Sequence, residues 1–231
     1  MDTAAGQPTA RQRPGNAYYT ALTGSLLVLG LIAFSDNLLT DIDQPSNKQP
    51  SMVIHGLFAL AWMILLVVQA NHVRSGDLSR HRRLGPFVFA VGTGLVLSTA
   101  YLFYAGFPGF SAMTPPVMAN RIMLPIFAAA IFFAWRRRHL AAWHKRLIVM
   151  GTVLTLSPIL SRAMDRILGW VVPGRSEAGV DLLFLVAFAG VWTALLVSQW
   201  IYDHRTLGRI HPVTIGATVT LYAVYAFVYT I

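Results

Sequence analysis

Apolar runs about twenty residues long, separated by short polar breaks, recur from one end of this chain to the other. A helix that crosses a membrane needs about 20 mostly apolar residues. Seven stretches meet that demand, at roughly 18–35, 51–71, 84–105, 117–135, 146–166, 180–201 and 212–231. The breaks are rich in Gly, Pro and Asn, as in "DIDQPSNKQP" and "AGFPGFSAMTPP". Pro158, Ser161 and Arg162 interrupt the fifth run. The pattern predicts an all-α membrane bundle of about seven helices over residues 18–231, preceded by a polar tail at 1–17. The first run leaves through "AFSDNLL" without a small-residue cleavage pattern, so it reads as a retained helix.

Composition agrees. Of 231 residues, 55% are hydrophobic and 12% charged, and the mean hydropathy is +0.57; a soluble domain carries about a quarter charged residues. The net charge of +9 resides in short basic clusters between the apolar runs, a pattern of membrane orientation and not of nucleic-acid binding. Arg74, Arg80, Arg82 and Arg83 lie between the second and third runs. Arg136, Arg137, Arg138, Lys145 and Arg146 lie between the fourth and fifth, and Arg205 and Arg209 between the sixth and seventh. The opposite loops carry Asp36, Asp41, Asp43, Lys48, Arg175 and Glu177. Positive-inside counting places the N-terminus, with Arg11 and Arg13, in the cytoplasm and the C-terminus outside. Trp135, Trp143, Trp170 and Trp200 fall near the ends of runs, where an amphipathic ring prefers to sit.

The inventory also excludes chemistry. Without cysteine there are no disulfides, iron–sulfur clusters, thiolate zinc sites or covalent c-type haem. The two lysines, Lys48 and Lys145, lie outside the apolar runs, so no buried lysine is offered for a retinal Schiff base.

Six of seven histidines, His72, His81, His139, His144, His204 and His211, fall on the basic side. Neutral imidazole binds metal, but no HExxH occurs. His139 and His144, five apart, are turned by about 140° on a helix. The tight histidine boxes of membrane di-iron oxygenases are absent. Two starts of apolar runs echo one another, His81-Arg82-Arg83-Leu84 and His144-Lys145-Arg146-Leu147. They fit a haem site, with His72, His81 and His144 as candidate ligands and arginines beside the propionates. They fit equally a cytoplasmic starting sequence used twice, with "HRTLG" at His204 as a third partial copy. This arrangement resembles, in architecture, the ascorbate-reducible transmembrane cytochromes b, which pair histidines across a four-helix core. Their pattern of one pair per leaflet is not met, since the outer leaflet offers only His55; one inner b-type haem is what the resemblance implies.

"FSDNLLTDIDQPSN", "HGLFALAWMILLVVQA" and "HRRLG" also resemble stretches of small uncharacterised bacterial integral-membrane proteins, over roughly the first 90 residues, with an echo in "GRIHPV". That resemblance implies a bacterial inner membrane and lends no activity.

Within the second run His55, Trp62 and Gln69 are spaced by seven, with His72 three further on, so helical geometry puts them on one stripe. Polar groups on one stripe in lipid face other helices or a cavity. Thr218, Tyr222, Tyr225 and Tyr229 form a similar row, read as a packing face. Arg121 lies a turn into the fourth run, and Arg162 and Asp165 are i,i+3 neighbours late in the fifth. These residues predict a polar cluster near the outer face, formed by Arg121, His55, Arg162 and Asp165, that attracts an anionic small molecule.

Two functions follow. One is a non-enzymatic carrier, sensor or assembly subunit whose site is the cavity lined by His55, Trp62, Gln69, Arg121, Arg162 and Asp165. The other is a redox protein with one haem b that exchanges electrons with a membrane quinone.

Overall fold

A computed structural model describes residues 14–171 and 177–230, with side chains from 17 to 171 and from 182 to 230. Arg11, Arg13, Arg175 and most of the polar tail lie outside the described residues. The helices run α1 (Pro14–Ala33), α2 (Pro45–Lys48), α3 (Pro50–Arg74), α4 (Leu78–Ala105), α5 (Pro115–Arg136), α6 (Ala141–Leu154), α7 (Ser157–Val171), α8 (Glu177–Leu207) and α9 (Pro212–Val228). A π-helical turn, Asp36–Thr40, follows α1, and a 3-10 turn, Phe110–Ala112, precedes α5. No strand occurs among the described residues.

Local chemistry sets these boundaries. Proline opens α3, α5 and α9, where its missing N–H costs nothing and its fixed φ suits the first turn. Asp77 caps α4 by accepting from the Arg80 N–H at 3.0 Å. Gly76 after α3 and Gly208 after α8 adopt φ of 79° and 69°, the left-handed geometry that ends a helix most cheaply at glycine.

Among the described residues, four helices are long and apolar enough to cross a membrane: Pro50–Arg74, Leu78–Ala105, Pro115–Arg136 and Leu182–Leu207. Less than a third of each apolar window is buried within the protein, so most of these side chains face outward, as lipid-facing helices require. The expected fifth span is two helices. Pro158 supplies no N–H to bond the carbonyl of Leu154, and α6 and α7 meet at 57°. Taken as one broken span, they raise the count to five. The first expected span lies in α1, whose part Ala17–Ala33 is a shorter apolar stretch, and the last corresponds to the shorter apolar helix Pro212–Val228.

Helix α3 packs on α1 and α4, α5 on α4 and α6, and α9 on α5 and α6, while α7 joins α1 to α8. Trp62 sits in the middle of this packing, 1% exposed. Its indole N–H donates to Thr152 Oγ1 at 3.2 Å, and its ring meets Phe127 edge-on. Gly92 lets it approach α4, since a Cβ there would lie 2.7 Å from the indole. In lipid such close packing, not the hydrophobic effect, holds helices together.

The contacts also sort the two ends. Tyr18 and Tyr19 of α1, His81 of α4, Lys145 of α6, Tyr202 of α8 and His211 of α9 all belong to one end, together with the three basic loops. At the other end Asp36 pairs with Arg166, and Arg121 bonds the end of α4.

Candidate functional site

The two echoing histidines meet. His81, on the first turn of α4, and His144, on the first turn of α6, stand with ring centroids 6.2 Å apart and planes at 84°. Nδ1 of His144 lies 2.9 Å from the carbonyl of Ala134. A carbonyl only accepts, so Nδ1 carries the proton, and in the neutral ring Nε2 presents its lone pair. Metal-binding histidines are oriented in the same manner, by donating the other ring N–H to a carbonyl or carboxylate. Nδ1 of His81 is buried without a partner. Gln69, at the end of α3, donates from Nε2 to the His81 carbonyl at 3.2 Å, and its buried Oε1 has no donor. His72 lies one helical turn from Gln69, within electrostatic reach of His81. Three of the sequence candidates, Gln69, His81 and His144, therefore share one corner, with unfilled hydrogen-bonding or coordinating capacity.

That corner limits what it can hold. A metal–imidazole bond is about 2.0–2.1 Å long, so two rings at this separation can flank one metal atom. No three His, Asp or Glu side chains converge anywhere among the described residues. A bare ion, which asks for about four protein ligands, is poorly served. A porphyrin brings its own four nitrogens and asks the protein for axial ligands only. Of the arginines expected to face propionates, Arg146 is committed elsewhere, Arg137 lies over Trp143, and Arg138 bonds the Trp135 carbonyl. Arg82 and Arg83, beside His81, are exposed.

A second polar centre was not legible from motifs. Arg146, 1% exposed at its side chain, meets the fully buried Asp203, with Nε and Nη2 at 2.7 and 2.6 Å from Oδ1. Gln199 Nε2 adds a bond to Oδ1 at 2.7 Å. The His211 N–H and the Thr214 hydroxyl reach Oδ2 at 3.0 and 2.6 Å. Lys145 donates to the Tyr202 hydroxyl at 3.0 Å and lies over the Tyr19 and Tyr202 rings. The available signal was modest: Asp203 is the one acidic residue after Asp181, set among basic neighbours. His211 completes the centre by accepting from the Val213 N–H at Nδ1, 3.2 Å away, to cap α9. Burial foremost, with Arg146 adding to it and Asp203 opposing, pushes its imidazole below the usual 6.5.

The expected outer residues fall into separate places. His55 Nδ1 sits 3.3 Å from both Ser98 Oγ and Thr99 Oγ1. Arg162 donates to Asn37 Oδ1 at 3.3 Å and shares a cavity of about 240 Å³ with Asp36, Gln44, Asp165 and Arg166. Arg121 lines a different cavity, of about 440 Å³, with Ala100, Phe103, Tyr104, Phe107 and Leu124. Of the tryptophans expected at helix ends, Trp135 and Trp143 meet basic side chains there, and Trp170 is 63% exposed at the end of α7. Trp200 instead lies two turns inside α8, bonded to Thr218. Comparison with known proteins gives no matching family model, no matching curated protein and no matching solved structure.

Proposed function

We propose that this chain is a multi-pass protein of the bacterial cytoplasmic membrane that holds one redox-active metal group, best served by a b-type haem, between His81 and His144. The reading includes seven passes, with the N-terminus inside and the C-terminus outside, and α6 and α7 counted as one broken pass. The observation that carries it is the meeting of two imidazoles from distant parts of the chain, one oriented by the Ala134 carbonyl and the other with a buried, unpartnered nitrogen. In that role His81 and His144 would hold the group, Gln69 holds the start of α4 through the His81 carbonyl, and Arg82 and Arg83 would supply positive charge beside its carboxylates. When bound, the group supplies one-electron chemistry, with a membrane quinone as the exchange partner. The bacterial membrane rests on orientation by charge and on the resemblance in the first part of the chain.

A second reading has its own observation. Both oxygens of the buried Asp203 carboxylate are satisfied by protein groups without any cofactor, while Gln199 Oε1 beside them keeps no donor. A carboxylate held by protein partners alone favours a non-enzymatic carrier, sensor or assembly subunit in which the histidine pair is only a packing contact.

Absorption spectroscopy separates the two. Protein purified in mild detergent from haem-replete cells should show a Soret band that shifts on reduction, and His81→Ala and His144→Ala should each remove it while His204→Ala leaves it. A colourless, folded protein with blank metal analysis would overturn the redox reading and leave the second.

A further inference from the structure

We infer that the cavity between the ends of α4 and α5 binds an anionic phospholipid through its phosphodiester, with Arg121 as the anchoring cation. The inference rests on the chain's residence in a membrane and is independent of the histidine pair, which lies at the opposite end of α4.

Among the described residues Arg121 is a charge without an anion. It makes no ion pair with any described carboxylate, and the side chains around it, from Ala100, Phe103, Tyr104, Phe107 and Leu124, include no acid. Its Nη1 donates to the carbonyl of Phe103 at 2.7 Å, which fixes the guanidinium at the end of α4. The guanidinium also lies 4.9 and 5.3 Å from the ring centroids of Phe103 and Phe107, so one of its faces is held by π-electrons. Its Nε is buried and has no partner. An arginine that only snorkels to water would keep that donor hydrated. Here the side chain is tethered at one nitrogen, flanked by two aromatic rings and left with donors to fill.

The chemistry of the walls selects the ligand. With Nη1 giving one hydrogen to the Phe103 carbonyl, Nη2 and the second Nη1 hydrogen still form an end-on fork that matches two oxygens of a phosphate. The rest of the lining is aromatic and aliphatic, and Tyr104 is 83% exposed at its edge. A free phosphate gains nothing from such walls. A phospholipid places its diester on the arginine and its glycerol and upper acyl carbons along Phe103, Phe107 and Leu124. At about 440 Å³ the space accommodates a headgroup and not a whole lipid, so the acyl chains continue down the outer surface of α4, where Leu97 is 65% exposed.

The test is lipid titration of delipidated full-length protein in dodecyl maltoside, read by native mass spectrometry and thermal unfolding. The probes are dioleoyl phosphatidylglycerol, dioleoyl phosphatidylcholine and inorganic phosphate. Both lipids offer a phosphodiester, so the contrast reads the net charge of the headgroup: choline brings a second cation beside Arg121 and glycerol brings none. Phosphatidylglycerol should therefore bind about tenfold more tightly than phosphatidylcholine and raise the unfolding temperature. Arg121→Met should remove the preference. Arg162→Met, which deletes the same charge from the other cavity at that end, should retain it. Equal binding of the two lipids, an equal response to inorganic phosphate, or a preference unchanged in Arg121→Met would each overturn the inference. Should Arg121→Met fail to fold, Arg121→Lys decides: a point charge without the fork should weaken the preference, and an undiminished one counts against it.

Discussion

Arg146 and Asp203, 57 residues apart in sequence, form a buried ion pair in which a single carboxylate accepts from four different residues. The pair joins the start of α6 to the end of α8, and through His211 and Thr214 to the start of α9. Removing one partner strands a charge away from water, which typically costs about 3–5 kcal/mol. Arg146→Met and Asp203→Leu should each lower stability by that order, and the double substitution should cost less than the sum. Thermal unfolding in mild detergent measures this. Additive losses would mean that the two side chains are independently solvated.

Gly92 gives a test of the packing around Trp62. A methyl group there would meet the indole at 2.7 Å, and the indole is held by Thr152 and Phe127. Gly92→Ala should therefore cost about 1–3 kcal/mol, as overpacking does. Gly24→Ala on α1, where nothing lies within 4 Å of the new carbon, should be neutral or slightly stabilising. Equal effects at the two positions would remove the special role of the Trp62 contact.

What could be read in the chain beforehand divides along physical lines. Lipid demands length and apolarity, so α3, α4, α5 and α8 stood out as runs. Pro158 marked the bend between α6 and α7 because a missing N–H acts locally, whatever the partners. The basic loops stood out as one group by their charge, and in the structure they lie at one end of the bundle. The echo at His81 and His144 placed both rings at matching ends of their helices, and in the structure they face each other. Pairing across helices was another matter. Arg146 read as one more loop cation and nothing in the sequence marked Asp203 as its partner, since only the packing of the helices brings α6 and α8 together. Arg121 and Asp165 shared an end of the bundle in prospect, yet they line different cavities because α5 leans on α4 while α7 leans on α1 and α8.

Orientation can be checked without background, because the chain has no cysteine. Asp43→Cys and Ser79→Cys place single thiols at exposed sites on opposite ends. In intact cells an impermeant maleimide should label position 43 and leave position 79 unlabelled until the membrane is opened. The reverse pattern would put the basic loops and the histidine pair outside.

Acid should weaken the start of α9 through His211. Its Nδ1 accepts from the Val213 N–H, and only an unprotonated nitrogen accepts. Burial first, and then Arg146, Arg209 and Lys145, hold the folded imidazole below the ordinary 6.5, with Asp203 pulling the other way. Because the folded value is depressed, the unfolded chain binds the proton more readily. Stability from this group is thus complete above pH 6.5 and falls as the pH drops through that value toward the lower folded one. Asparagine can cap a helix with its side-chain oxygen and does not titrate. His211→Asn also keeps the backbone N–H that reaches Asp203. Wild-type unfolding temperature should therefore decline between about pH 7 and pH 5 more steeply than that of His211→Asn. The difference between the two curves isolates His211 from the remaining histidines, and curves that stay parallel would show that the cap does not sense pH.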